Sequence, residues 1–338
     1  MNKQAKKKIS ITDVAKKANV SITTVSRVIN KVNTVNKEIT SRVEAAIAEL
    51  KFKPNPTAQR LAKGTGSSAI GFVIPGYPGI FHSFYAVELI RGIGHGCEIG
   101  RLDMIFHITD GRNPLKSNYA GGLIFADIIE NRSQVEDAIE DGIPALVLNY
   151  VVKDLDVSYI AVDNFKGGVI AAEYLMNLGH KRIATVTGNL QTQAGIERFE
   201  GFQKTLMKKD LNFEPEYFYK GDYSRRSARS AAERFFSLDN PPTAVFAASD
   251  DMALEIISVA MENGIKVPED ISVIGFDDNP VGLFGPVSLT TIKQPLFSMG
   301  EEAVKVLTEI MQGKQTEAVH KLLTPELIVR ESCAPPSS

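Results

Sequence analysis

Four carboxylates and a guanidinium stand where this chain could grip a small molecule. Asp163, Asp250 and the pair Asp277-Asp278 each follow a short apolar run, and Arg198 opens a helix after a polar stretch at 189–193 that includes Thr192. Ser249 immediately precedes Asp250. Carboxylates and a guanidinium converging in a cleft bind hydroxyl groups bidentately, while aromatic rings cover an apolar ring face. Each carboxylate also has a plainer reading. Asp277 can simply end a strand in a turn, and Asp163 or Asp250 can orient backbone rather than ligand. Catalysis has less support. Asp277-Asp278 imitates an acid/base pair, yet adjacent residues at a strand end point in different directions. There is no phosphate-cradling Walker loop, no Gly-x-Ser-x-Gly, and no His/Cys metal cluster among only five histidines. The expectation is a non-enzyme without cofactor or metal.

Residues 10–30 carry a different pattern. Ser10 precedes Asp13 at the spacing that lets its hydroxyl cap a helix whose dipole Asp13 also favours. Val14, Ala15 and Ala18 share one side of that helix, Asn19 tolerates a left-handed turn, and Ser21 can cap a second helix at once. Two short helices joined by a tight turn read as a helix-turn-helix. On the second, Val25, Val28 and Ile29 point inward, and Ile22, Thr23, Ser26, Arg27 and Asn30 fall on the other side. Arg27 can fork onto a guanine edge, Ser26 and Asn30 can bond bases or phosphates, and Ile22 and Thr23 offer methyls to thymine. For an isolated helix, a merely solvated polar face explains these residues equally well.

The charge distribution is a separate signal. Residues 1–64 hold 14 Lys+Arg against 4 Asp+Glu, whereas the remainder holds 24 against 36, so a net charge of −2 hides a basic head on an acidic body. That is the asymmetry of a polyanion-binding module attached to something else. At 338 residues, 43% hydrophobic and 23% charged, the chain reads as an ordinary globular protein of more than one domain. No apolar run approaches the roughly 20 residues of a membrane span. The basic first ten residues lack an apolar h-region, and two distant cysteines, Cys97 and Cys333, suit a reducing cytoplasm.

The elements that must position these residues follow in order. A third helix starts after Asn36, with Ile39, Val43, Ala46, Ile47 and Leu50 inward, and Pro54 and Pro56 stop it. From residue 69 apolar runs (69–75, 104–109, 122–126, 145–150, 157–162, 183–187, 243–248, 271–276) alternate with helices at 166–178, 196–208, 225–237, 251–263 and 297–312. Strands buried on both faces and separated by helices make parallel sheets, and about 270 residues of them suggest two lobes. In such sheets ligands sit beyond the carboxyl ends of the strands, where the polar residues above gather.

Three blocks carry a resemblance. Residues 20–30 (Val-Ser-Ile-Thr-Thr-Val-Ser-Arg-Val-Ile-Asn), 42–50 (Arg-Val-Glu-Ala-Ala-Ile-Ala-Glu-Leu) and 52–62 (Phe-Lys-Pro-Asn-Pro-Thr-Ala-Gln-Arg-Leu-Ala) resemble the headpiece of the lactose-repressor/galactose-repressor (LacI/GalR) family of bacterial transcription factors. Ile-Glu-Arg198-Phe-Glu-Gly-Phe, Ala-Ser-Asp250-Asp-Met-Ala-Leu, Val-Pro-Glu-Asp-Ile-Ser-Val-Ile-Gly-Phe-Asp277-Asp and Leu-Thr-Thr-Ile-Lys-Gln-Pro are similar to blocks of the family's periplasmic-binding-protein-like effector domain. The resemblance implies a helix-turn-helix headpiece over 1–53, a hinge helix and linker over 54–68, and an effector domain over 69–338. Its N-lobe would take about 69–162 and 292–324, its C-lobe about 163–291 and 325–331.

The resemblance also implies roles. Ser21, Ile22, Thr23, Ser26, Arg27 and Asn30 would contact double-stranded, pseudo-palindromic operator DNA, with Leu61 wedged into the minor groove beside Asn55 and Ala58. A plain linker, suggested by Lys63-Gly-Thr-Gly-Ser-Ser68, is the alternative for that segment. A sugar or sugar phosphate would sit among Phe81, Phe84, Asp163, Thr192, Arg198, Tyr223, Ser249, Asp250 and Asp277, although Phe81 and Phe84 could equally be packing residues. A homodimeric cytoplasmic repressor of a carbohydrate operon is therefore expected. A catabolite-control-type regulator gated by a protein co-regulator, or a solute-binding protein without DNA function, are the competing readings. The sequence departs from the family in three places. Residues 110–121 are too few for a full crossover helix, Gly76-Tyr-Pro-Gly-Ile-Phe-His replaces the usual Asp-x-Ser-Asn-Pro, and Ser249 replaces an asparagine.

Overall fold

The structure, a computed structural model, describes residues 10–29, 35–50, 52, 68–76, 80–115, 120–126, 128–209, 211 and 214–337. Asn30, Asn55, Ala58 and Leu61 lie outside the described residues.

Local hydrogen bonds start each helix of the head. Ser10 Oγ accepts from the Asp13 N–H at 3.3 Å while Asp13 Oδ2 accepts from the Ser10 N–H at 2.8 Å, a reciprocal cap for α1 (Ile11–Ala18). Asn19 then turns left-handed at φ 52°. Ser21 Oγ accepts from the Thr24 N–H at 3.1 Å and opens α2 (Ile22–Ile29), and Asn36 Oδ1 accepts from the Glu38 N–H at 2.9 Å at the start of α3 (Lys37–Leu50). Helices this short hold only through packing. Val14, Val25 and Val43 meet at 0% exposure, flanked by Ala15, Ala18, Val28 and Ala46.

Two six-stranded sheets follow, each with helices on both faces. The first contains β1 (Ala69–Pro75), β2 (Asp103–Thr109), β3 (Gly122–Phe125), β4 (Ala145–Leu148), β5 (Ser158–Val162) and β11 (His320–Leu323), in the order β11-β5-β4-β3-β1-β2 and parallel throughout. Helices α4 (Phe84–Gly100) and α10 (Leu296–Met311) cover one face, and α5 (Arg132–Glu140) packs on the other. The second sheet orders β12-β10-β9-β8-β6-β7 from β6 (Ile183–Val186), β7 (Phe218–Tyr219), β8 (Ala244–Ala247), β9 (Ser272–Asp277), β10 (Thr290–Lys293) and β12 (Glu326–Ile328). It is parallel except for β12, which runs antiparallel along β10. Helices α6 (Asn164–Asn177) and α7 (Gln193–Lys208) lie on one face, α8 (Arg225–Phe236) and α9 (Asp250–Glu262) on the other.

The chain passes between the sheets three times, at 162–164, 293–296 and 323–326. Strand carboxyl ends of both sheets therefore face one gap. The stretch after Ile328 stays with the second sheet: Ser332 Oγ donates to Val273 O at 2.5 Å, and the buried His180 meets Ala334 O at 2.9 Å through Nε2. The shortened crossover carries no helix over residues 110–115. Asp110 Oδ1 instead accepts from the N–H groups of Arg112 and Asn113, and these bonds hold its carboxyl below the usual range.

The apolar spacing of the sequence marks neither α4 nor α5 as a helix. In α4 the glycines at 92, 94, 96 and 100 weaken helix propensity. Packing overrides that preference, because a Cβ on Gly92 would lie 2.0 Å from Phe297 O of α10. The glycine permits the contact that keeps the helix.

Candidate functional site

Two surfaces bring together residues singled out by the sequence. On α2, Val25 and Val28 are buried while Ser21, Ile22, Thr23 and Arg27 are exposed and Ser26 is half-buried. One face thus presents apolar, hydroxyl and guanidinium groups to solvent, with Ile22 47% exposed. A large aliphatic residue left uncovered beside an arginine suits the major groove, where a thymine methyl and a guanine edge would meet them.

The second surface is a cleft of about 410 Å³ between the lobes, within the roughly 300–1,000 Å³ typical of small-molecule sites. The first lobe contributes Phe84, Tyr85, Ile129, Asn149 and Tyr150, and the second contributes Thr192, Gln193, Arg198, Tyr223, Ser249, Asp251 and Asp277. Gln294 comes from the crossing between β10 and α10. Strand ends and helix starts place most of these. Thr192 Oγ1 accepts from the Gly195 N–H at 3.1 Å and caps α7, and Ser249 caps α9.

Arg198 organises the cleft floor. It is 5% exposed, and its Nε donates to Asn164 Oδ1 at 2.9 Å while Nη1 donates to Ala248 O at 2.7 Å. Nη1 also lies 3.9 Å from Asp277 Oδ1, and the guanidinium stacks on Phe276 at 3.7 Å from the ring centroid. Gln294 Nε2 donates to the same Asp277 oxygen at 2.6 Å. Burial pushes the Asp277 carboxyl above its ordinary range, and Arg198 and the Gln294 bond pull it back. A hydroxyl-bearing ligand would find here an acceptor whose geometry is already fixed.

The lobes touch across this gap. Gln193 of α7 accepts from the Val151 N–H at 2.7 Å through Oε1, and its Nε2 donates to Val151 O at 3.4 Å. Two amide oxygens of the cleft lining, Asn149 Oδ1 and Gln294 Oε1, are shielded from water without a hydrogen-bond partner. Such orphaned acceptors cost free energy until something donates to them.

Tyr223 covers part of the cleft at φ 69°, seated against Gly188. A Cβ on Gly188 would stand 2.0 Å from the Tyr223 ring. Gly188→Ala is expected to cost about 1–3 kcal/mol by overpacking. That cost should vanish in a Gly188→Ala/Tyr223→Ala pair, checked by urea unfolding of the four combinations. Additive losses would show that Tyr223 does not rest on Gly188.

Three expected ligand contacts are placed elsewhere. Asp163 Oδ1 accepts from the Lys166 N–H at 2.8 Å and caps α6, away from the cleft lining. Asp250 is 1% exposed and spent on the Thr291 hydroxyl at 2.6 Å and the Asn279 N–H at 2.7 Å. Burial and then the Asp277 charge hold its carboxyl well above the ordinary range. Phe81, in a short 3-10 turn (Ile80–His82), is 52% exposed to solvent and absent from the lining. Asp250 gives way to Asp251 because one residue along α9 turns the side chain by about 100°. Asn149 and Tyr150 follow an apolar strand as Asp277 does, so the strand-end signal could have found them. Gln294 had no signal beyond its block.

Among the described residues, no group of three or more His, Cys, Asp or Glu is placed to hold a metal, and no helix is long and apolar enough to cross a membrane. A helix-turn-helix head joined to a two-lobed, binding-protein-like body defines a ligand-responsive class of DNA-binding regulator. Comparison with known proteins agrees. Residues 10–55 match the model of bacterial regulatory proteins of the lacI family, and 172–333 match that of a periplasmic binding protein-like domain. The transcriptional repressor PurR of Aliivibrio salmonicida is 32% identical over 334 residues, covering 96% of this chain and 98% of that one. The repressor CytR of Escherichia coli K12 is 32% identical over 329 residues, covering 95% of each. Among solved structures, the regulator CelR in complex with cellobiose matches at TM-score 0.72 and 28% identity, covering 96% of this chain and 99% of that one. The lac repressor dimer bound to operator and the anti-inducer ONPF matches at TM-score 0.69 and 28% identity, covering 97% and 100%. The chain belongs to the LacI family of bacterial transcriptional regulators, and its relatives are repressors rather than enzymes.

Proposed function

We propose that this regulator is a homodimeric cytoplasmic repressor whose grip on a pseudo-palindromic operator is set by a small hydroxylated molecule, a sugar or sugar derivative, in the interlobe cleft. Its parts are a head at 1–53, a hinge at 54–68 and a body from 69. The N-lobe takes about 69–162 and 294–324 rather than 292–324, because β10 (Thr290–Lys293) pairs within the second sheet, and the C-lobe takes 163–293 and the stretch from 325, which runs past 331 along that sheet. The observation that carries the reading is the cleft wall itself. Arg198 and Asp277 belong to one lobe, Asn149 and Tyr150 to the other, and Gln294 to a crossing segment, so one ligand would touch both lobes and a segment that joins them.

Exposed apolar side chains on both lobes support pairing of two copies. Phe106 and Ile108 are 40% and 57% exposed on edge strand β2, and Val281, Leu283 and Phe284 are 48%, 49% and 85% exposed on the second lobe. Two recognition helices about one DNA turn apart then read the two half-sites. Coupling of about 1–3 kcal/mol between cleft and DNA changes occupancy roughly 5- to 150-fold.

The test uses the full chain and a duplex selected from a random pool, read by fluorescence anisotropy. A sugar that binds the cleft by calorimetry should shift the operator Kd at least about fivefold, and the shift should be lost with Leu61→Ala, which removes the proposed wedge. Calorimetric binding with an unchanged operator Kd would overturn the reading.

A further inference from the structure

Resting on the cleft as the effector site, a finer property follows from its charges. Among the described lining residues the ionisable groups of fixed sign are Arg198, Asp251 and Asp277, with no lysine and no histidine. Arg198 is already engaged by Asn164, Ala248, Asp277 and the Phe276 ring. A phosphate or carboxylate entering this cleft would therefore meet Arg198 and Asp277 already paired with each other, and Asp251 as the remaining charge, an acid. The Asp251 carboxylate, exposed at the start of α9, accepts hydrogen bonds and does not donate them. Hydroxyls and N–H groups are donors, while an ionised phosphate or carboxylate offers acceptors alone. Phe84, Tyr150 and Tyr223 supply ring faces for an uncharged scaffold.

We infer that the cleft selects an uncharged, hydroxyl-rich ring and rejects the phosphorylated or carboxylated form of the same ring. Rejection is the active element, because the one guanidinium is already paired and like-charge contact with Asp251 costs affinity. The sugar phosphate that the sequence left open as a ligand is thereby removed, and uronates with it.

The experiment titrates the full chain calorimetrically with matched probes: D-glucose, D-glucose 6-phosphate and D-glucuronate; D-ribose and D-ribose 5-phosphate; cellobiose and cellobiose 6-phosphate; cytidine and cytidine 5′-monophosphate. At least one neutral probe should bind, with its charged counterpart weaker by about 100-fold or more. Asp251→Lys should narrow that ratio by about tenfold or more, since it reverses a charge facing the ligand. A charged probe that binds as tightly as its neutral partner, and still shifts the operator Kd, overturns the inference and leaves the repressor reading intact. Absence of binding by every probe overturns both.

Discussion

Replacing Arg27 with alanine is expected to remove most of the preference for the selected operator while leaving weak binding to random duplex nearly unchanged. Arg27 is exposed on α2, on the face opposite the buried Val25 and Val28, so the substitution should move stability by no more than about 0.5 kcal/mol. A bidentate arginine–guanine contact is worth about 1–3 kcal/mol of discrimination, and a dimer makes it twice. The expected loss is thus about 2–6 kcal/mol, roughly 30- to 20,000-fold in operator Kd at fixed salt. Non-specific binding rests instead on the 14 Lys+Arg of residues 1–64, of which this change removes one. Anisotropy with both duplexes decides the matter. Equal loss on operator and random DNA would make Arg27 a phosphate contact, and base reading would have to come from elsewhere on the helix.

Much of this was legible in the chain because it is local. Ser10 with Asp13, Asn19 and Ser21 act within a few residues of themselves, and the structure shows each bond or turn their chemistry implies. Strands buried on both faces announce themselves as apolar runs, so the strand ends, and with them Arg198 and Asp277, could be placed in advance. What escaped is what depends on distant partners. Helix α4 is decided by the fit of Gly92 against Phe297, and nothing near residue 92 reports residue 297. The choice between Asp250 and Asp251 depends on which oxygen acceptor Thr291 and Asn279 find beneath the sheet end. Asp163 was drawn inward by its position after a strand, yet the free N–H groups of α6 claimed it first. Local hydrogen bonding won over the cleft at that position, and tertiary packing won over local propensity at the other two.

Arg198→Met is expected to leave a repressor that holds DNA and no longer answers to any cleft ligand. The substitution keeps length and apolar stem but withdraws the donors of Asn164 Oδ1 and Ala248 O and leaves Asp277 without its counter-charge. Breaking a buried charged network in this way costs about 3–5 kcal/mol. Arg198→Lys should recover little of it, because one ammonium cannot serve partners that the guanidinium reaches through separate nitrogens. Acidity supplies the readout that a merely structural arginine would not give. The Asp277 carboxyl already lies above its ordinary range through burial, with Arg198 pulling it down, so removing Arg198 raises it further. A carboxyl raised in the folded state penalises folding when ionised and does so less as it protonates. The deficit of Arg198→Met against the parent should therefore be largest above the folded-state value of Asp277 and shrink as pH falls through it. Urea unfolding of both proteins across that range measures the difference directly. A deficit that stays constant with pH would show that Arg198 does not neutralise Asp277, and that the cleft floor is held by its hydrogen bonds to Asn164 and Ala248 alone.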